Sequence, residues 1–289
     1  MSTRTQPRSP DPRVAIVTGA SSGIGEATAE VLAAAGWKVY GTSRRGAQGV
    51  KRSFEMLALD VTSDSSVQAC VDEVVQREGR IDLLVNNAGF GVAPAAAEES
   101  SIAQAQKIFD TNFFGLVRMS LAVIPQMRAQ GHGRIINIGS ILGVLPLPYA
   151  ALYASTKHAV EGYSESLDHE LRTQGIRVSV IEPAYTKTKF DTNNLEADTQ
   201  LAHYADIRAH VLGVVAEAME HGDEPRVVAD VVLKVANTAN PKARYTAGAA
   251  ANRLSLLRRF APARVLDAGV RKDLRLHTIV SSAATTGAT

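Results

Sequence analysis

The sequence predicts an α/β protein built on one doubly wound parallel sheet with helices on both faces. Two observations predict this class. Short β-branched runs alternate with longer helical patterns, as in parallel strands joined by crossover helices. The chain has 289 residues, of which 45% are hydrophobic, enough to bury a full core. We therefore expect a single domain with its ligand site at the carboxyl ends of the strands.

The predicted elements alternate along the chain. Strands are predicted at 14–17, 39–42, 56–59, 83–85, 134–138, 178–181 and 244–246. Helices are predicted at 24–35, 65–78, 102–129, 153–173 and 224–237. Joined by right-handed crossovers, these strands and helices are expected to form an open sheet with helices on both faces. Residues 13–248 form the expected catalytic domain, with a substrate lid at about 184–222. We expect a disordered segment 1–12, a helical extension 249–276 and a flexible tail 277–289.

The composition points away from nucleic-acid binding, disulfides and membrane spans. The net charge is +2 and the pI about 8.7, from a small excess of Lys and Arg without a basic stripe. The single cysteine, Cys70, excludes an internal disulfide and is interpreted as a packing residue. We expect neither a signal peptide nor a transmembrane segment, and no metal site. The predicted location is cytoplasmic.

A glycine-rich turn, Thr18 to Gly25, follows the first strand and opens the first helix. Glycines let the backbone approach a pyrophosphate, and the helix N-terminus favours the anion. Any strand-to-helix turn can be glycine-rich, so the motif alone leaves a structural role open. The candidate cofactor-binding residues are Gly19, Ser21, Ser22, Gly23, Ile24 and Gly25.

The end of the second strand carries two arginines where an acidic residue would select an unphosphorylated ribose. Arg44 and Arg45 follow Ser43, and no Asp or Glu occurs at 39–53. The guanidiniums can pair with a 2′-phosphate, Arg44 being better placed, with Ser21 as a hydroxyl partner. The alternative is a pair of solvated charges at the start of the loop 46–53.

Three later stretches carry further candidates. Asp60 and Val61 close the third strand and can read an adenine edge, or Asp60 can serve only as a helix cap. After the fourth strand, small residues let a cofactor lie against the backbone; the candidates are Asn87, Ala88 and Gly89. Asn112 and Gly115 are unfavourable inside a helix, which predicts a kink or a freed carbonyl there.

Tyr153 and Lys157 share a helical face because they are four residues apart. An adjacent ammonium favours the phenolate and brings the tyrosine toward the working pH of a general acid/base. Ser140, just past the fifth predicted strand, is placed to hold a carbonyl oxygen. An isolated Tyr-x-x-x-Lys is more often a half-buried tyrosine beside a surface lysine. The other motifs of the chain therefore decide whether this pair is interpreted as catalytic.

The ordered motifs resemble the short-chain dehydrogenases/reductases. They are Thr18-Gly19-x-x-x-Gly23-x-Gly25, Asn86-Asn87-Ala88-Gly89, Asn112, Ser140, Tyr153-x-x-x-Lys157 and Pro183-Ala184-x-x-x-Thr188. The run 39–44 resembles NADP-preferring members, and the run 157–167 is similar to members acting on retinoids and hydroxysteroids. Ala184 departs from the family pattern, in which a glycine usually follows the proline.

The resemblance implies a Rossmann-type fold and a role for each matched residue. Tyr153 would be the general acid/base, and Lys157 would lower its pKa and hold the nicotinamide ribose. Ser140 would hydrogen-bond the substrate oxygen, and Asn112 would anchor a water that connects Lys157 to solvent. The hydride belongs to the cofactor. Further cofactor contacts are implied at Pro183, Thr186 and Thr188.

The predicted function is an NADP(H)-dependent oxidoreductase that interconverts a carbonyl and an alcohol on a hydrophobic small molecule. The alternative is a catalytically weak NADP(H)-binding sensor, which has no need for the tyrosine and serine. The apolar positions of the stretch 201–221 are compatible with an apolar substrate cavity and equally with hydrophobic packing on the sheet. The basic, apolar stretch 249–276 suits oligomer packing or a solvated face better than membrane contact. We expect a homodimer or homotetramer.

Overall fold

A computed structural model describes residues 12–47, 49, 51–188 and 194–276. Seven parallel strands form one sheet in the order β3-β2-β1-β4-β5-β6-β7. They are β1 (Val14–Val17), β2 (Lys38–Ser43), β3 (Glu55–Ala58), β4 (Leu83–Asn86), β5 (Gly133–Ile138), β6 (Ile176–Pro183) and β7 (Arg244–Ala247). The predicted fold class is confirmed. The predicted disordered segment, except Pro12, the predicted tail and residues 189–193 of the lid lie outside the described residues.

Nine helices accompany the sheet in the described residues. They are α1 (Gly23–Ala34), α2 (Asp64–Glu78), α3 (Ile102–Phe109), α4 (Gly115–Gln130), α5 (Ala151–Leu171), α6 (Ala205–Glu220), α7 (Pro225–Asn237), α8 (Ala249–Phe260) and α9 (Ala263–Asp273). Most predicted bounds were wrong by one or two residues. The last two helices are separate because Pro262, just past α8, cannot continue a helix.

The sheet is buried on both faces, which explains its nearly continuous apolar strands. Along β1 the side chains alternate: Val14 and Ile16 pack toward α2, α4 and α5, whereas Ala15 and Val17 pack toward α1 and α7. Cys70 of α2 is buried in the first of these two clusters, which confirms its interpretation as a packing residue. The two-sided core holds the strand ends rigidly.

The chain from 102 to 130 is one continuous helical stretch with a π-helical turn, Asp110–Phe114, between α3 and α4. This turn is the irregularity predicted from Asn112 and Gly115. The stretch has the length and composition of a membrane-crossing helix, and no other described helix does. Met119, Val123 and Met127 are fully buried against the sheet, so we interpret it as a core helix.

The strand order reverses at β1, whose neighbours are β2 and β4. In open parallel sheets, ligands bind in the crevice at such a switch point, outside the carboxyl ends of the strands. The loops that follow β1, β4, β5 and β6 all open on that edge. The fold therefore brings together motifs that are far apart in the sequence.

Candidate active site

The glycine-rich turn is held in a left-handed conformation and tied to β4. Gly19 and Gly23 have φ of +66° and +60°, and a Cβ on Gly25 would lie 2.3 Å from the Gly19 carbonyl oxygen. The Asn87 amide Nδ2 donates to the carbonyls of Thr18 (3.0 Å) and Gly19 (3.2 Å). A side chain larger than glycine would therefore disrupt the turn.

The N-terminus of α1 opens on the cleft beside this turn. Ser22 lies at the N-cap position, but its side chain makes no capping bond. The helix therefore presents backbone N–H groups that a capping side chain would otherwise occupy, in the arrangement that suits a pyrophosphate. Ile24, Asn87 and Gly89 line the adjoining cavity. The residues present fit a dinucleotide.

Arg44 and Arg45 lie in an exposed turn directly after β2. A third arginine, Arg52, was not predicted: its Nη2 donates to the Ser21 carbonyl (3.0 Å) and to Glu26 (2.8 Å). The guanidinium therefore lies across the glycine turn beside the predicted phosphate partner Ser21. No local pattern in the sequence predicts this position of Arg52, because it belongs to the loop between two strands and its partners lie 26 and 31 residues away.

Asp60 does not cap a helix, so that alternative is wrong. Ser63 caps α2 by accepting from the Ser66 amide (3.3 Å), while Asp60 accepts from the Thr62 amide (3.0 Å) and hydroxyl (2.7 Å). These two bonds, aided by the nearby Arg44 guanidinium, hold the pKa of Asp60 below its ordinary value. Asp60 is thus a fixed carboxylate just past the end of β3, next to Val61.

The predicted reaction centre, here called the reaction end, lies where β5 ends and α5 begins. Tyr153 is the third residue of α5, so the helix dipole favours its phenolate. The Lys157 Nζ lies 5.6 Å from the centre of the Tyr153 ring and donates to the Ile138 carbonyl (2.9 Å). Ser140 follows β5, and its Oγ accepts from the Leu142 amide (3.1 Å). This bond leaves the hydroxyl proton for a ligand oxygen.

Lys157 is buried, and burial lowers its pKa to about 8, a shift that the Glu161 carboxylate opposes. Glu161 lies one turn further along the same face of α5. It interacts with charged side chains of two other elements, β6 and β7. The Arg244 Nε lies 2.9 Å from Glu161 and 3.8 Å from Glu182. Burial and then Glu182 raise the pKa of Glu161 to about 7. The spacing Tyr153, Lys157, Glu161 was a signal that sequence reasoning did not use.

Asn112, inside the π-helical turn, clamps the loop after β4. Its Oδ1 accepts from the Phe90 amide (3.0 Å), and its Nδ2 donates to the Phe90 carbonyl (2.8 Å) and to Thr156 (3.3 Å). A cavity of about 10 Å³ touches Asn112, Lys157 and Thr18. About 10–15 Å³ is the smallest volume that holds one water. The polar lining of this cavity suits that water.

A larger cavity of about 520 Å³ starts at the reaction end. It touches Ser140, Tyr153 and Lys157 at one end, and apolar side chains of α6, α8 and α9 at the other. The predicted lid positions Val211 and Val215 line it, whereas Leu212 is exposed. The cavity forms between the strand ends, α6, and the α8–α9 segment, which lies nearly thirty residues beyond α6, so the sequence left its existence open.

The strand-end residues Pro183, Thr186 and Thr188 also line this cavity. Among non-glycine described residues only Tyr149 and Arg275 have a positive φ, so Ala184 needs no glycine-like conformation here. Tyr149, at φ +65°, lines the cavity four residues before Tyr153 and was not predicted as a site residue. Such a backbone conformation is uncommon outside glycine. No cluster of three or more His, Cys, Asp or Glu in the described residues can hold a metal.

Comparison with known proteins identifies the class. The family model of the short chain dehydrogenases matches residues 13–199. A 3-ketodihydrosphingosine reductase from Bacteroides thetaiotaomicron is 38% identical over 82% of this chain and 88% of its own length. Bovine retinol dehydrogenase 8 is 33% identical, over 81% and 80% respectively. The chain belongs to the short-chain dehydrogenase family of oxidoreductases.

Solved structures agree with this assignment. A short-chain dehydrogenase from Streptomyces avermitilis superposes with a TM-score of 0.77 at 29% identity, covering 93% of this chain and 98% of the other. A 3-ketoacyl-(acyl-carrier-protein) reductase from Brucella melitensis, complexed with NADH, gives 0.69 at 25% identity over 83% and 97%. A serine dehydrogenase complexed with NADP+ gives 0.69 at 28% over 81% and 93%. Neighbours of this fold thus hold either nicotinamide cofactor.

Proposed function

We propose that this chain interconverts a carbonyl and an alcohol on a hydrophobic small molecule, with NADP(H) as cofactor and Tyr153 as general acid/base. One observation carries the proposal. Tyr153, Lys157 and Ser140 meet at the inner end of a largely apolar cavity of about 520 Å³, which also reaches the glycine-turn residue Ile24. Cofactor, reacting atoms and apolar substrate can therefore share one enclosed space.

Each residue has a defined task in this reaction. The nicotinamide supplies or accepts the hydride when bound. Tyr153 gives its phenolic proton to the substrate oxygen during reduction and takes it back during oxidation. The Lys157 ammonium favours the phenolate, and the Ile138 carbonyl fixes its position. The Ser140 hydroxyl, whose Oγ accepts from the Leu142 amide, donates a hydrogen bond to the same substrate oxygen and keeps its proton.

The proton that Tyr153 loses must be replaced from solvent. The cavity of about 10 Å³ between Lys157 and Asn112 suits a water that links Lys157 to the loop after β4. Asn112 itself uses its side chain to clamp Phe90. We therefore assign Asn112 to shaping this small cavity rather than to binding substrate.

The preference for NADP(H) rests on charge at the end of β2. Arg44 and Arg45 are exposed there, the stretch 39–53 contains no Asp or Glu, and Arg52 adds a guanidinium across the glycine turn. A 2′-phosphate gains charge-assisted bonds from such groups, whereas a ribose hydroxyl lacks its usual carboxylate. Asp60, close to Arg44, fits the adenine edge rather than the phosphate.

The hydrophobic substrate follows from the cavity wall. Val211, Val215, Leu254 and Leu266 line it from α6, α8 and α9, and among the described residues its charged lining beyond Lys157 is limited to Arg253 and Asp273. Ketodihydrosphingosine and retinol, after which two relatives are named, are lipid-like molecules. A homodimer or homotetramer in the cytoplasm, without a nucleic-acid partner, completes the proposal; exposed Leu121 on α4 is available for assembly.

The test is a cofactor titration followed by a substrate panel. Quenching of protein fluorescence gives the Kd of NADPH and NADH for the wild type. Turnover is then measured with aldehydes, ketones and secondary alcohols of increasing chain length. We expect tighter NADPH binding and turnover that improves with apolar length. Tight cofactor binding without turnover on any carbonyl or alcohol would favour the alternative, a nucleotide-binding sensor.

A further inference from the structure

Exposed apolar side chains cluster where α8 ends and α9 begins. Of the eight large hydrophobic side chains that are exposed in the described residues, four fall within 256–265: Leu256 (60%), Leu257 (44%), Phe260 (72%) and Val265 (55%). Single exposed apolar residues are common, but a contiguous patch marks a contact surface. We call these four side chains the tip patch.

The α8–α9 segment is anchored at both ends, and the tip patch lies between the two anchors. Ala251 at the start of α8 is buried behind β7. At the end of α9, Leu274 is buried, its carbonyl contacts the His210 Nε2 (3.0 Å), and Arg275 pairs with Glu217 of α6 (2.9 Å). The tip patch is therefore held in place although it projects from the protein.

Positive charge surrounds the tip patch. Residues 249–276 contain seven basic and two acidic side chains, a net +5 in a chain of net +2. Arg258, Arg259 and Arg264 lie within the exposed tip, and the Arg259 guanidinium stands 5.3 Å from the Phe260 ring centre. Helices with Leu and Phe framed by arginines bind the interface of anionic membranes.

The tip patch is continuous with the cavity. Leu257 and Val265 both line the large cavity and are exposed at the surface, so they form its mouth. Leu256 and Phe260 stand beside the mouth on the outer face, four residues apart and outside the cavity lining. A molecule that leaves a bilayer under the tip would enter the cavity without crossing water.

We propose that the tip patch, with the arginines beside it, docks on anionic lipid bilayers and that the hydrophobic substrate enters the cavity from the bilayer. A second copy of the chain fits this surface less well, because a two-fold contact would bring arginines against arginines. The delivery of substrate rests on the proposed function. Docking does not, since it is measured without turnover.

The test measures binding of the full chain to vesicles by sedimentation. Vesicles of phosphatidylcholine are compared with vesicles of equal parts phosphatidylcholine and phosphatidylglycerol, at low and high ionic strength. We expect strong binding only to the anionic vesicles, weakened by salt. Arg258→Gln/Arg259→Gln and Leu256→Gln/Phe260→Gln should each weaken this binding at least about tenfold.

Matched controls carry the same substitutions elsewhere on the surface. Ile102→Gln removes another exposed apolar side chain and Arg226→Gln removes another exposed charge, and both residues lie outside the segment 249–276. Both controls should bind vesicles like the wild type. All variants should keep their circular dichroism spectra and their turnover of a short, water-soluble ketone, because none of these residues lines the cavity.

Delivery is tested with a long-chain ketone held in the anionic vesicles. The two tip variants should lose several-fold in turnover of this substrate and none with the short ketone. Undiminished turnover of the vesicle-borne ketone would overturn delivery, and absent or unchanged vesicle binding would overturn docking. A smaller particle mass by light scattering in the tip variants would also overturn docking, because it would show that a second copy covers the patch. Vesicle binding without turnover of either ketone would remove the proposed function and leave docking intact.

Discussion

The two ends of the large cavity are built on opposite principles. At the reaction end, defined by Ser140, Tyr153 and Lys157, the serine and lysine side chains are buried and hydrogen-bonded to neighbouring backbone, and Tyr153 is half-buried. At the mouth, defined by Leu257 and Val265, apolar side chains are exposed and make no polar contact. Under the proposed function, the reaction end performs the chemistry and the mouth selects which molecule reaches it. Substitutions at the two ends should therefore change different kinetic constants.

The largest effect is expected from Tyr153→Phe, which removes the proton and little else. Turnover should fall at least ~10²-fold, the usual scale for loss of a general acid/base, while the NADPH Kd stays within a few-fold. Stopped-flow turnover and fluorescence titration measure the two quantities. Near-normal turnover in this variant would show that the reaction end has been assigned to the wrong residue.

Arg44→Ala should weaken NADPH binding about tenfold and leave NADH binding nearly unchanged, because only the phosphate loses its charge-assisted bond. Arg45→Ala serves as the neighbouring control and should do less. Higher ionic strength should weaken NADPH binding more than NADH binding. Fluorescence titration of both cofactors checks this, and an equal loss for the two cofactors would contradict phosphate pairing.

The mouth should control substrate affinity rather than turnover. Leu257→Ser places a hydroxyl at the rim and removes apolar contact, so KM for a long-chain ketone should rise several-fold while kcat with a short ketone is unchanged. Steady-state kinetics across a chain-length series measures this split. A fall in kcat for short and long ketones alike would mean that the two ends are not independent.

Lys157 links reaction-end chemistry to stability. Its folded pKa, about 8, lies below its unfolded value of about 10.5, so above pH 8 the unfolded chain binds more protons and stability rises with pH. Tyr153, Glu161 and Glu165 on α5, Glu182 on β6 and Arg244 on β7 are the charged or titratable groups of this cluster.

The corresponding variant is Lys157→Met, which removes the titrating group. From pH 7.5 to 9.5 the unfolding free energy of the wild type should gain about 2 kcal/mol relative to this variant, since one pKa unit corresponds to about 1.4 kcal/mol. Urea unfolding at both pH values measures the difference. In the variant the Ile138 carbonyl loses its lysine donor, which costs the same free energy at both pH values. Comparing how the unfolding free energy changes with pH in the two proteins therefore cancels this cost. Equal slopes would mean that Lys157 is not desolvated.

The sequence by itself determined the fold class, the glycine turn and the Tyr153–Lys157 pair. These features depend on short-range rules: strand and helix periodicity, the left-handed backbone that glycine allows, and the four-residue spacing of a helical face. Even the irregular turn at 110–114 was visible, because Asn112 and Gly115 are poor helix residues. Local chemistry therefore sufficed for most candidate residues at the reaction end.

Only the tertiary structure decided what lies between segments distant in sequence. Arg52 reaches Ser21 and Glu26, and Arg244 pairs with Glu161, through contacts that no local pattern encodes. The mouth likewise forms where α8 and α9 pack near α6, so its apolar positions were compatible with either packing or a cavity. Side-chain spacing along one element is fixed by backbone geometry, whereas the distance between elements depends on how the whole core packs.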